Sequence, residues 1–146
     1  MSVGRGEIMR ILAIDYGASR IGLAVSDPLG IIASPVGTIK SVGMKGDVDA
    51  LAQKAKELGA DKIILGLPIN MDGSEGVRAE ISRKLAAVLQ KVSGISVELV
   101  DERLSTVSAE RALDEANVRW NKRKQVVDTI SAQIILGTYL EKQKHL

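Results

Sequence analysis

The segment Arg10-Ile11-Leu12-Ala13-Ile14-Asp15-Tyr16-Gly17 decides the fold of this chain. An unbroken apolar run that ends on a carboxylate and a glycine is typical of a central β-strand covered on both faces. In open α/β sheets, ligands and catalytic groups collect at the carboxyl ends of such strands. The pattern therefore predicts that Asp15 lies at a functional edge of a sheet, although an aspartate that only begins a turn has the same local sequence.

The rest of the chain supplies further strands and helices around this first strand. The predicted elements are strands at 20–26 and 31–40, a helix from Asp47 that stops at Gly59, a strand at 62–66, a helix that ends at Gly94, a strand at 95–100, a helix capped by Ser105 or Thr106, and a last helix from about Gln125 to Gln143. Short turns make the first strands antiparallel, whereas an intervening helix makes the later strands parallel. The order βββαβαβαα predicts an α/β protein of the ribonuclease H-like fold. Its five-stranded mixed sheet has three antiparallel strands, then two parallel ones, with helices on both faces.

Size and composition fit one globular domain. The chain has 146 residues, of which 45% are hydrophobic and 26% are charged, enough to form a single aliphatic core. Gly4, Arg5 and Gly6 predict a flexible N-terminal extension at residues 1–8, followed by a single domain at 9–146. No segment is apolar enough to span a membrane or to act as a secretion signal, so we expect a cytoplasmic location and no membrane partner.

The residue inventory restricts the possible chemistry. The chain has no cysteine, and its single histidine is His145, next to the last residue. Thiol nucleophiles, disulfides, zinc sites built on cysteine and histidine-dependent triads therefore have no candidates. Any catalysis has to rest on carboxylates, hydroxyls, lysines or a metal ion held by oxygen atoms.

Two acidic residues far from Asp15 are predicted to join it. Glu102 directly follows the strand at 95–100 and opens at the same edge as Asp15, because the two strands run parallel in the predicted order. Spacing alone does not choose between Glu102 and the adjacent Asp101. Asp128 lies in an apolar helix on the face of Ser131, Ala132 and Ile135, where a buried carboxylate needs a compensating partner. A carboxylate stabilised by the helix dipole in the first turn is the structural alternative.

Together, Asp15, Glu102 and Asp128 predict an oxygen-only site of the kind that Mg²⁺ or Mn²⁺ prefers. Two such ions would activate a water molecule and stabilise the leaving oxygen of a phosphodiester. This chemistry needs no histidine. Because the bond to be hydrolysed is a phosphodiester, the predicted partner is nucleic acid.

Basic and polar residues near these acids are candidate nucleic-acid contacts, with phosphate contacts and one stacking surface. They are Arg20, Asn70, Ser74, Arg78, Arg103, Arg119, Trp120, Lys122, Arg123 and Lys124. Each has a structural alternative: a solvated loop at 117–124, surface ion pairs for the separate arginines, and formation of the loop at 66–74 for Asn70 and Ser74, with Ser74 or Asp72 as the cap of the next helix.

Four ordered blocks resemble the YqgF (RuvX) family of Holliday junction resolvase-like nucleases. The blocks are 15–27, 66–74, 101–106 and Lys124 with Val127-Asp128, and the resemblance extends from Met9 to Leu140. It implies a ribonuclease H-like fold, a divalent metal, and Asp15, Glu102 and Asp128 as catalytic acids. It also implies maturation of the 5′ end of pre-16S ribosomal RNA, with cleavage of branched DNA junctions as the alternative. Where the family often reads Gly-Pro-Gln, this chain has Gly76-Val77-Arg78, so the resemblance implies the fold but does not specify the local substrate contacts.

Two other classes compete with a nuclease. Actin-like and sugar-kinase ATPases also open with an aspartate and a glycine in a strand hairpin, but they close two lobes of about this size over the nucleotide. A non-catalytic nucleic-acid-binding transcription factor would use the basic residues without turnover, yet gains nothing from three acids aimed at a polyanion. For a nuclease, a four-way junction favours a homodimer, whereas a structured ribosomal RNA precursor is also compatible with a monomer.

Overall fold

The computed structural model describes residues 9–102 and 120–144, apart from the side chains of 120–129 and 144. Its elements are β1 Ile11–Tyr16, β2 Arg20–Ser26, β3 Ala33–Lys40, α1 Met44–Glu57, β4 Lys62–Leu67, α2 Val77–Ser93, β5 Ser96–Asp101 and α3 Trp120–Lys144. The predicted extension at 1–8 and the predicted helix after Ser105 or Thr106 lie outside the described residues. In the described ranges, no helix combines the length and apolar character needed to cross a bilayer.

The strands form one sheet in the order β3-β2-β1-β4-β5. β1 is antiparallel to β2, and β2 is antiparallel to β3, as the short turns predict. β4 is parallel to both β1 and β5. The predicted ribonuclease H-like topology is thus confirmed, and the carboxyl ends of β1, β4 and β5 lie at the same edge of the sheet.

Helices cover both faces of the sheet, so β1 is apolar on both sides. Leu12 and Ile14 point to one face, where α1 and α2 pack with residues such as Leu51 and Leu85. Ala13 points to the other face, which α3 covers with the buried side chains Ala132, Ile135, Leu136, Tyr139 and Leu140. Because side chains alternate along a strand, Asp15 falls on the α3 face and Tyr16 on the face of α1 and α2.

The first helix begins earlier than predicted, and Asp47 is not its N-cap. The N-cap is Gly43, and Asp47 lies in the first turn, where it is buried. Its carboxylate accepts hydrogen bonds from the Val42 N–H at 2.8 Å and from the Ser41 and Tyr16 hydroxyls at 2.5 Å each. An aspartate at this position therefore fixes the loop before α1 to the end of β1 instead of capping the helix.

The last helix also begins earlier than predicted, at Trp120 instead of about Gln125. The basic loop predicted at 117–124 is therefore wrong for residues 120–124, whose backbone is helical. Lysine, arginine and glutamine are good helix formers, and no glycine or proline interrupts the sequence between Trp120 and Gln125. The basic residues at 122–124 thus extend α3 and do not form a separate connection.

Candidate active site

Asp15 and Glu102 meet at the carboxyl edge of the sheet. Asp15 is the fifth of the six residues of β1, and Glu102 directly follows β5. The N–H of Glu102 donates to the carbonyl oxygen of Leu67 at 3.4 Å, which holds this residue against the end of β4. The carboxyl groups of Asp15 and Glu102 share a hydrogen bond. The structure therefore brings together two of the three predicted acids, although their catalytic role remains a prediction.

The environment of Glu102 favours its protonated form. Burial, the negative charge of Asp15 and the hydrogen bond to Asp15 raise the pKa of Glu102 from 4.5 to about 8. The charge of Asp101 acts in the same direction, and the charge of Arg78 opposes it. A hydrogen bond between two carboxyl groups requires that one of them carries a proton. At neutral pH the pair accordingly holds a proton, mainly on Glu102.

One oxygen of Glu102 is buried without a partner. Among the described residues, Oε2 of Glu102 accepts no hydrogen bond. A buried carboxyl oxygen without a partner is unfavourable unless a donor or a cation compensates it. Two adjoining carboxyl groups and one such oxygen therefore suit a hard divalent cation, whose preferred ligands are oxygen atoms.

Residue spacing did not decide whether Asp101 or Glu102 belongs to the candidate site. The burial of the two residues decides it. Asp101 is exposed at the end of β5, whereas the Oε2 atom of Glu102 is shielded from solvent on the α3 face. Asp101 affects the site through its charge, which raises the pKa of Glu102.

Asp128 is the third predicted acid, and the structure describes only its backbone. That backbone lies in α3, seven residues or about two helical turns before Ile135, whose Cδ1 atom packs near Gly66 of β4. Ser131, one turn after Asp128, is buried against the sheet. The side chain of Asp128 lies outside the described atoms, and no cluster of three acidic or other metal-binding residues occurs in the described part of the chain.

Arg78 lies beside the paired acids. Its Nη2 atom donates a hydrogen bond to the carbonyl oxygen of Tyr16 at 2.9 Å, directly after Asp15 in the chain. Its Cζ atom lies 5.5 Å from the centre of the Tyr16 ring. The positive charge of Arg78 partly offsets the effects that raise the pKa of Glu102. The arginine at which this chain departs from the family pattern therefore lies at the carboxyl edge of the sheet.

Tyr16 fixes Arg78 and was not identified by sequence reasoning. Its hydroxyl donates to the buried Asp47, and burial together with this acceptor raises the pKa of Tyr16 to about 12. Burial acts to raise the pKa of Asp47, but hydrogen bonds from Ser41, Tyr16 and Val42 lower it overall. The one local signal for this network was an aromatic residue with a polar tip directly after Asp15.

The loop between β4 and α2 uses Asn70 and Ser74 for its own structure. Asn70 Nδ2 donates to the Ser74 hydroxyl at 2.9 Å, and that hydroxyl donates to Asp72 at 2.6 Å. The suggestion that Ser74 or Asp72 caps α2 is wrong, because the N-cap is Gly76 and makes no side-chain cap bond. These contacts explain the loop sequence as a turn, and a substrate role for Asn70 or Ser74 stays a prediction.

The other candidate contacts are described to different extents. Arg20 begins β2 near the carboxyl end of β1, and its carbonyl oxygen accepts the Gly17 N–H at 3.0 Å in the turn after Asp15. Arg103 and Arg119 lie outside the described residues. Trp120, Lys122, Arg123 and Lys124 belong to the start of α3 by their backbone, and their side chains lie outside the description.

Comparison with known proteins gives a family match over most of the chain. The family model described as "RuvX: Holliday junction resolvase" matches residues 9–142. A protein of Myxococcus xanthus named "Putative pre-16S rRNA nuclease" is 49% identical over 133 residues, which cover 91% of this chain and 88% of the relative.

Solved structures show the same fold at low sequence identity. RuvC of T. thermophilus in complex with a Holliday junction substrate has a TM-score of 0.61 at 11% identity, covering 94% of this chain and 96% of that protein. The Holliday junction resolvase of fowlpox virus has a TM-score of 0.58 at 16% identity, covering 92% of this chain and 99% of the viral protein. These similarities agree with the strand order and confirm the predicted fold class.

Proposed function

We propose that this chain, which belongs to the RuvX family, is a metal-dependent nuclease that hydrolyses phosphodiester bonds during 5′-end maturation of pre-16S ribosomal RNA. The observation that carries the proposal is the hydrogen-bonded pair of Asp15 and Glu102 at the carboxyl edge of the sheet. The names of the curated relatives support the nuclease activity and the RNA substrate. Ribosomal RNA processing implies a cytoplasmic location.

Asp15, Glu102 and Asp128 would hold Mg²⁺ or Mn²⁺. The oxygen-only donor set and the buried Oε2 of Glu102 fit such an ion. When bound, it supplies Lewis acidity that activates water and neutralises charge on the scissile phosphate. The residue Asp15 contributes a carboxylate fixed on a buried central strand, a rigid position of the kind that precise active-site geometry requires.

Arg78 is suited to orient the substrate. One guanidinium N–H is committed to the carbonyl oxygen of Tyr16, which fixes the direction of the group. An arginine held in this way can present its other N–H groups to a phosphate oxygen. The Tyr16 ring and the Tyr16–Asp47 hydrogen bond restrict the movement of Arg78, which lowers the entropy cost of binding.

The basic start of α3 extends the proposed nucleic-acid surface. Lys122, Arg123 and Lys124 precede Asp128 by one to two turns of the same helix. A cluster of basic residues attracts the phosphate backbone and positions it without reading the base sequence. The same surface would also accept branched DNA, so Holliday junction cleavage by a homodimer is the second candidate, favoured by the description of the family.

The experiment compares the wild type with Asp15→Asn, Glu102→Gln and Asp128→Asn. Asp49→Asn is the matched control, because Asp49 is an exposed acid on α1. Each protein is incubated with a 5′-extended 16S precursor and with a four-way DNA junction, in Mg²⁺, in Mn²⁺ and in chelator. We expect cleavage of the precursor by the wild type and the control, and a loss of roughly 10³-fold or more in each active-site variant.

The outcomes of this cleavage experiment distinguish between the competing functions. Cleavage that persists in chelator, or in the active-site variants, contradicts the metal-dependent mechanism. Cleavage of the junction with no cleavage of the precursor replaces the RNA substrate by branched DNA. Binding of either substrate without turnover under all metal conditions would support the non-catalytic binding factor and refute the nuclease.

A further inference from the structure

We propose that Gly66 is a positioning residue, and that the space left by its missing side chain sets where the carboxyl group of Glu102 lies. This inference rests on the proposed role of Glu102 as a metal-binding acid. Gly66 is in β4, the strand between β1 and β5, and is paired with Val100 in the parallel register. It therefore lies between the strand that carries Asp15 and the strand that Glu102 directly follows.

The distances leave no room for a methyl group at position 66. A Cβ atom there would lie 1.9 Å from Oε2 and 3.0 Å from Cδ of Glu102. It would also lie 2.9 Å from Cδ1 of Ile135 in α3. Non-bonded heavy atoms pack best at about 3.5–4.0 Å, so the carboxyl group of Glu102 occupies the space where this side chain would be.

Backbone conformation does not explain the glycine. Gly66 lies in regular β pairing, whereas the positive φ angles that favour glycine belong to other positions, such as Gly59 at 66° and Gly94 at 73°. Glycine in the interior of a strand is unfavourable, and it often marks a place where another group approaches the backbone closely. Here that group is the carboxyl of Glu102, which explains a glycine in the central part of the sheet.

An alanine at this position would move side chains and leave the backbone in place. Both nearest atoms, Oε2 of Glu102 and Cδ1 of Ile135, are the ends of flexible side chains. To reach an ordinary contact distance, Oε2 would have to move by more than about 1 Å, which would shift the carboxyl group that is hydrogen-bonded to Asp15. A displacement of about 1 Å in a catalytic site can reduce the rate by on the order of 10²-fold.

The test compares Gly66→Ala with Gly137→Ala. Gly137, in α3, is a matched control because a Cβ atom there meets nothing within 4 Å. We expect Gly66→Ala to fold with a melting temperature within about 4 °C of the wild type. Its affinity for Mn²⁺ alone, measured by calorimetry without substrate, should fall by about 10-fold to 100-fold. Its kcat should fall by on the order of 10²-fold while KM for the RNA changes little.

A double-mutant cycle identifies the atom responsible. Glu102→Asp shortens the side chain by one methylene and withdraws the carboxyl group from Gly66. In that background, adding Gly66→Ala should lower the Mn²⁺ affinity less than about threefold, because the clash is already relieved. Gly66→Ala with wild-type Mn²⁺ affinity and turnover would overturn the proposal, as would an equal loss in both backgrounds.

Two further variants keep the test decisive. If Gly66→Ala alone does not fold, the double variant Gly66→Ala with Glu102→Ala should fold, because Oε2 and Cδ of Glu102 are then absent. If this double variant also fails to fold, the proposal is refuted. Glu102→Gln distinguishes the proposed function from the positioning role of Gly66. Wild-type turnover in Glu102→Gln contradicts the proposed function. Wild-type turnover in Gly66→Ala, with Glu102→Gln inactive, contradicts only the role of Gly66.

Discussion

Replacing Glu102 with glutamine should remove most of the pH dependence of unfolding that this carboxyl group creates in the metal-free protein. Burial and the neighbouring Asp15 raise the pKa of Glu102 from 4.5 to about 8 in the folded chain. Below pH 4.5 the group is protonated in both the folded and the unfolded state, so it causes no penalty. As the pH rises towards 8, the unfolded chain releases this proton first, and the folded protein loses stability.

The size of the effect follows from the two pKa values. They differ by about 3.5, and each unit corresponds to roughly 1.36 kcal/mol, which sets an upper limit of about 4–5 kcal/mol for the loss between pH 4.5 and 8. Above pH 8 the penalty is constant. Glutamine stays neutral at every pH, so Glu102→Gln should be more stable than the wild type at pH 8 and similar to it at pH 5.

The assay is urea unfolding of both proteins in chelator at half-unit steps from pH 5 to pH 8.5. The difference between their free energies of unfolding reports the coupled pair of Asp15 and Glu102, because the titrating groups outside this pair, including His145, are common to both proteins. We expect the difference to grow with pH and to level off near pH 8. Parallel profiles, or a wild type that gains stability relative to the variant as the pH rises, would refute the assigned protonation of Glu102.

Two further predictions concern the residues next to this pair. Tyr16→Phe removes one of the hydrogen-bond donors to the buried Asp47. It should lower the free energy of unfolding, measured by urea titration, by about 1–3 kcal/mol. An unchanged urea midpoint would contradict the structural role of the hydroxyl. Arg78→Gln should weaken RNA binding and reduce the slope of log K against log salt by about 1 between roughly 50 and 200 mM salt, measured by fluorescence anisotropy. Arg83→Gln is the control for this variant, because Arg83 already forms a bidentate ion pair with Glu75. Equal salt slopes in the two variants would exclude a phosphate contact by Arg78.

The elements that depend on local patterns were predictable from the sequence. The apolar run of β1 and the short turn to β2 gave the hairpin, and Gly59 and Gly94 ended the helices at the expected places. Helix boundaries that depend on long-range contacts were less predictable. Asp47 looked like an N-cap by its residue type, but its carboxylate is bound to Tyr16, which is 31 residues earlier in the chain.

The meeting of Asp15 and Glu102 at one edge was predictable, because the strand order requires β1 and β5 to end on the same side, whereas the place of the Asp128 side chain stays a prediction. The packing around these acids was not predictable. The selection of Glu102 over Asp101 depends on which side chain points to the α3 face, and the role of Arg78 depends on a contact to Tyr16 across 62 residues.

By itself, the sequence determined the order of the described strands and helices, the position of Asp15 and Glu102 at strand ends, and the absence of cysteine, since these follow from local periodicity and composition. Only the tertiary structure decided that the carboxyl group of Glu102 lies against Gly66 and shares a proton with Asp15. The physical reason is that side-chain direction, burial and the resulting pKa depend on residues that are distant in the chain. These residues become neighbours only when the sheet and its covering helices pack together.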